Sequence, residues 1–230
     1  MSPPRVPDWP EEAAQEITSW ALSLGLTWTM TLVGFVKDTL GDPAVVEARI
    51  NNWDSGKTGS DIKDYLAKSQ EEILDVRQNL SMYWEGNAHD AFDTWAFALE
   101  DVCSSSAAVA AEIANSLEEA LKKIVDTYCL AVDYIADCFL TLRKFSGDMA
   151  SSVSVDPFEI AGDAAEAIMQ ALTKFTRDTT DLILDTIKIM TDYSEQVRDI
   201  KQKVSELKIP AGAPEAASDP SGWSVQPWGV

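Results

Sequence analysis

Three observations predict an all-α fold: long stretches free of Gly and Pro, apolar residues recurring within them at steps of three and four, and no sustained period-two alternation. The 60 residues from Asn87 to Ser146 and the 47 from Asp163 to Ile209 contain neither breaker. Most of the 11 Gly and 10 Pro fall in positions 3–10, 41–59, 147–162 and 210–229, which mark the joints between helices. Hydrophobic residues make up 46% of the 230, enough for one sizeable core or two small ones. The β-branched alternation at Ser151-Ser-Val-Ser-Val155 is too short to compete and sits in a joint.

The first region, residues 1–59, contains an uncharged run of 20 residues, Ile17 to Val36. That length spans a bilayer when it forms one helix. Thr18, Ser19, Thr27, Thr29, Gly25 and Gly34 dilute it, so two readings stay open: a helix buried in the core or facing another copy, or a membrane-inserting helix used as a pore or anchor. Glu11, Glu12 and Glu16 precede the run where a signal peptide needs basic residues, so export, if it occurs, is expected to be leaderless.

The second region, residues 60–150, carries two helical seams separated by Trp84-Glu85-Gly86. Upstream, Ile62, Leu66, Ile73, Val76, Leu80 and Tyr83 form one stripe; downstream, Ala88, Phe92, Trp95, Leu99, Val102, Val109, Ile113, Ala120 and Ile124 form another. Two such seams joined by a short break predict an elongated antiparallel helical hairpin with a tight turn at its tip. A helix from Asn87 to Ser146 would extend on the order of 90 Å. The third region, 151–209, is expected to be a long C-terminal helix packed along the hairpin, with Leu172, Phe175, Leu182, Tyr193, Val197, Ile200, Val204 and Leu207 inward. Helix starts are expected at Asp42-Pro43, at Ser60 or Asp61, at Asn87 and at Asp156-Pro157, all N-cap residue types. The fourth region, 210–230, is rich in Ala, Pro, Ser and Gly and reads as a disordered tail whose Trp223, Trp228 and Val230 are able to dock in a partner's groove.

Composition narrows the function. A net charge of −20 disfavours nucleic acid, where binding depends on neutralising phosphates, and an acidic membrane surface. Cys103, Cys129 and Cys138 lie on one helix, and Cys129 and Cys138 are too far apart along it for a disulfide; they read as small buried hydrophobes. His89, the single histidine, follows the turn and suits capping or partner contact. Gly56-Lys57-Thr58 is only the tail of a phosphate loop, and adjacent carboxylates such as Glu71-Glu72 diverge on a helix. The expectation is a non-enzyme with no cofactor and no metal.

Tyr83-Trp84-Glu85-Gly86-Asn87-Ala88-His89-Asp90-Ala91-Phe92 resembles the WXG-motif proteins exported by type VII secretion systems of actinobacteria and their relatives. Gly41-Asp42-Pro43-Ala44, followed by Trp53, resembles the Gly-Asp-Pro-Ala helix that precedes the hairpin in longer actinobacterial members. The resemblance covers roughly residues 41–146. It implies a Trp-x-Gly turn that helps form a cleft at one end of a helical bundle, and it makes Trp84, Gly86, Phe92 and Trp95 the candidate partner-binding residues. The chain departs from the family in lacking the Tyr-x-x-x-Asp/Glu export signal: Tyr128, Tyr134 and Tyr193 are followed four places on by Val132, Cys138 and Val197. No toxin domain fits in the 21 residues from Pro210 onward. The expectation is therefore a secreted or secretion-associated structural and interaction protein, cytoplasmic before any export, acting by helix–helix association with a helical partner, with itself or with the secretion machinery. A membrane-inserting protein, or a carrier for a separately encoded toxin, are the alternatives.

Overall fold

The computed structural model describes residues 6–39, 43–56, 61–146 and 162–226. Among them are six α-helices: α1 (Glu11–Ser23), α2 (Thr27–Thr39), α3 (Pro43–Trp53), α4 (Ile62–Tyr83), α5 (Asn87–Ser146) and α6 (Gly162–Glu206). The only strands described are the two-residue β1 (Trp84–Glu85) and β2 (Ser224–Val225), so the fold is all-α as the periodicity predicts. Two compact units result, one from residues 1–44 and 119–193, the other from 45–118 and 194–230. Each is built from two separated stretches, whereas the sequence suggested four successive regions, because α5 and α6 each contribute to both units.

In the first unit the uncharged run is not one helix. It breaks at Leu24-Gly25-Leu26, where Gly25 takes φ +71°. The Leu26 N–H donates to the Ala21 carbonyl at 2.7 Å and the Gly25 N–H to the Leu22 carbonyl at 3.1 Å, the paired bonds of a Schellman cap. Glycine reaches the left-handed region without a Cβ penalty, so the chain reverses there and α1 and α2 remain 13 residues each. Each is about 20 Å long, against the roughly 30 Å of a bilayer core. Among the described residues no helix is long and apolar enough to cross a membrane. Instead Ala13, Ala14, Ile17, Val33 and Val36 join Ala131, Ile135, Cys138 and Leu142 of α5 and Ile168, Leu172 and Phe175 of α6 in one buried cluster. Thr29, also buried, shares a 2.8 Å hydrogen bond with Thr176. Burial pushes the Cys138 thiol up to about 12, so it behaves there as a small apolar side chain.

Helix α3, which belongs to the second unit from Val45 onward, starts at Pro43, as expected, although the capping Asp42 lies outside the described residues. Asp61 caps α4: its carboxylate accepts from the Asp64 N–H at 2.9 Å. The α5 cap moves back one residue from Asn87, since the Gly86 carbonyl accepts from the Asp90 N–H at 3.0 Å. Asp156 and Pro157 are outside the described residues, and α6 runs from Gly162 to Glu206. The downstream seam on α5 is also offset. Its fully buried members between residues 96 and 125 are Ala96, Ala110, Ala114, Leu121 and Val125, one position after the expected Trp95, Val109, Ile113, Ala120 and Ile124, which are half-buried. Alanines let neighbouring backbones approach closely, and the larger side chains flank the contact. On α6, Val204 is exposed while Ile200 is buried.

Of residues 210–230, expected to be a disordered tail, the structure describes 210–226. They form two 3₁₀ turns, Glu215–Ser218 and Pro220–Gly222, and then β2.

Candidate functional site

The site is the turn between α4 and α5. A helix ends with carbonyls that lack intrahelical donors, and α4 ends on Ser81, Met82 and Tyr83. The Trp84 N–H still closes onto the Leu80 carbonyl. Gly86 then takes φ +106°, where an added Cβ would lie 2.6 Å from the Gly222 carbonyl oxygen. Glycine is required there twice over, by backbone angle and by the segment that crosses it.

That segment is the chain's own C-terminal stretch. β2 pairs antiparallel with β1, Trp84 opposite Val225 and Glu85 opposite Ser224. The Gln226 N–H donates to the Tyr83 carbonyl at 2.9 Å and its side-chain amide to the Ser81 carbonyl at 3.0 Å, supplying donors to the α4 terminus. Ser224 Oγ donates to the Glu85 carbonyl at 3.0 Å. Gly222 lies against α5, where a Cβ would sit 2.8 Å from the Ala88 Cβ.

Around this backbone frame the aromatic rings meet. Trp223 stands edge-on to Trp84 and to His89, each with centroids 6.0 Å apart, and tilts against Phe92 at 6.1 Å. Edge-on and tilted arrangements of this spacing set the positive rim of one ring against the negative face of another. Phe92 also packs on Trp95 at 6.0 Å. The indole N–H of Trp223 donates to the Ala217 carbonyl at 3.0 Å, a bond within the tail, while that of Trp95 donates to the Ala211 carbonyl at 2.7 Å and ties the start of the tail to α5. Leu80, Trp84, Phe92, Pro220 and Trp223 line an open apolar groove beside it.

Trp84, Gly86, Phe92 and Trp95, the residues singled out in the sequence, thus fall in one neighbourhood. Trp223, Gly222 and Gln226 complete it. The Gly-Trp dyad in a Pro- and Ser-rich stretch was the available signal, but it pointed to a partner's groove, not to the chain's own turn.

Arg77 ties α4 to α5 beside the site: its guanidinium donates to Asp93 at 2.9 Å and to Glu100 at 2.6 Å, and lies 5.0 Å from the Phe97 ring centroid. The hydrogen bonds it donates to Asp93 and Glu100 outweigh desolvation and raise its pKa further.

Ser81 Oγ lies 3.2 Å from His89 Nε2, and Asp90 lies 3.3 Å from His89 Nδ1. The order of groups is that of a Ser-His-Asp relay, but both contacts are long. Asp90 neighbours His89 in sequence and its side chain is 78% exposed, whereas the orienting carboxylate of a relay is buried. These contacts hold the imidazole edge-on to Trp223. Among the described residues no group of three or more His, Cys, Asp or Glu is placed to hold a metal ion.

No family model matches the chain, and neither a curated protein nor a solved structure shows significant similarity to it.

Proposed function

We propose that the chain is a non-enzymatic helical interaction protein of the type VII secretion class, in which α4, the Trp84-Glu85-Gly86 turn and α5 act as an antiparallel helical hairpin. The observation that carries this reading is the aromatic cluster built at the turn by Trp84, Phe92 and Trp95, on a backbone that needs glycine at position 86. An apolar groove lined by Leu80, Trp84 and Phe92 suits recognition of another chain. Exposed apolar residues along α4, namely Tyr65, Val76, Met82 and Tyr83, add a surface for a helical partner.

The test is fractionation of native cells with and without a working type VII secretion ATPase. Appearance of the protein in the medium only when the ATPase works is the expected result. Retention in the cells in both strains overturns the secretion reading.

A further inference from the structure

We propose that the Trp84–Gly86 turn is a docking site for an extended peptide carrying a Gly-Trp dyad, that residues 219–226 are its resident ligand, and that a partner engages this end by presenting the same chemistry and displacing them. The proposal rests on the reading of this end as the partner-facing one.

The recognition is of two kinds. Main-chain pairing of β2 with β1, together with the Gln226 donors to Tyr83 and Ser81, fixes an antiparallel extended segment at the end of α4. This is strand addition, in which backbone bonds supply affinity and flanking pockets supply specificity. Specificity comes from the dyad. Gly222 is the one residue type that passes between Ala88 and Gly86 without a Cβ collision, and it places the following Trp223 ring against Trp84, His89 and Phe92.

Displacement is permitted by the shortness of the main-chain pairing. Its ladder is two residues long, and a two-stranded pair of that kind is marginal on its own. Val225 is 56% exposed and Trp84 36%, so the pair lies at the surface, where a competitor has access to it. The tether makes up the difference. A short flexible linker presents its ligand at an effective concentration on the order of 1 mM, so a tail docked more than about nine-tenths of the time needs a free-peptide Kd below about 0.1 mM.

The experiment uses the full chain and its Gly222→Val variant, in which the added side chain meets Ala88 while the turn itself is untouched. A fluorescently labelled synthetic peptide of residues 219–226 is titrated and read by anisotropy. The variant, its own tail evicted, is expected to bind the peptide with Kd below about 0.1 mM, and the natural chain at least about tenfold more weakly because the tethered tail competes. A peptide carrying Trp223→Ala is expected not to bind. Equal binding to both chains, binding to neither, or equal binding of the two peptides overturns the proposal.

A second readout reports tail release directly. His89 is the only histidine, so its imidazole gives a single set of proton resonances, placed in the ring current of Trp223. Gly222→Val retains the Trp but is expected to shift these resonances, and saturating peptide to return them; unmoved resonances overturn the proposal. An unchanged urea midpoint of the helical core shows that the variant is folded. Peptide binding without ATPase-dependent export keeps the docking site and removes the secretion reading; export without peptide binding does the reverse.

Discussion

Asp61 shows how much one side chain arranges. It is 2% exposed, and its carboxylate accepts from the Asp64 N–H at 2.9 Å and from both the N–H and the hydroxyl of Ser55 at 2.7 Å. Burial disfavours its charge, yet the hydrogen bonds from Asp64 and Ser55 prevail and hold the carboxyl below its ordinary 3.8. Asp61→Ala is expected to cost about 1 kcal/mol at pH 7, the usual worth of an N-cap, read from urea unfolding. Between the depressed folded pKa and the ordinary one, the unfolded chain binds more protons, so the contribution is complete above the ordinary carboxylate range and fades as pH falls through the folded value. The gap between the natural chain and Asp61→Ala should therefore narrow in acid; a gap that widens below pH 4 refutes this account. The capping role was legible, because an Asp ahead of an apolar stripe is a helix start. The bonds to Ser55 were not, since they depend on how the chain enters α4.

At the scale of elements, the uncharged run teaches a more general point. Its hydropathy was read as one helix because charge and length report what a segment buries, not where its backbone reverses. Gly25 carried the missing information: leucines on either side and a threonine two places on, Leu24-Gly25-Leu26-Thr27, are the signature of a glycine cap followed by a new start. Nothing lies within 4 Å of a Cβ placed on Gly25, so Gly25→Ala meets backbone strain alone. The expected cost is about 1–2 kcal/mol, by chemical denaturation, with helix content by circular dichroism unchanged. A rise in stability, or gained helicity, means that α1 and α2 fuse and that the reversal is not enforced by Ile17, Val33 and Val36 entering one core. The breaker-free stretches, by contrast, contain α5 and all but the first residue of α6 as described, since a helix needs nothing beyond its own sequence to exclude Gly and Pro. At Ala96, Ala110 and Ala114 the phase of the α5 seam shifted by one residue because Ala counts little in an apolar stripe, yet close packing selects it.

For the whole molecule, 38 acidic against 18 basic residues make self-repulsion the leading long-range force. Exposed ion pairs such as Lys37–Glu11 and Lys203–Glu112 oppose it only locally and weakly, because solvent screens them. Raising NaCl from about 0.01 M to about 0.3 M shortens the Debye length severalfold, and the melting temperature is expected to rise by about 2–4 °C, equivalent to about 1 kcal/mol. A fall in melting temperature would mean that attractive pairs dominate. The pairing of the tail with the turn was the least legible feature, because Ser224 and Glu85 lie 139 positions apart and nothing local in either stretch names the other. That pairing also has a practical bearing on reagents. Val225 stands five residues before Val230, so an affinity handle or fluorescent protein fused after Val230 begins within about 20 Å of β2. Bulk placed there would press on the strand and shift its balance between seated and released, so a capture experiment with a C-terminal handle reports on an altered molecule, while one with the handle at the opposite terminus leaves the strand unburdened.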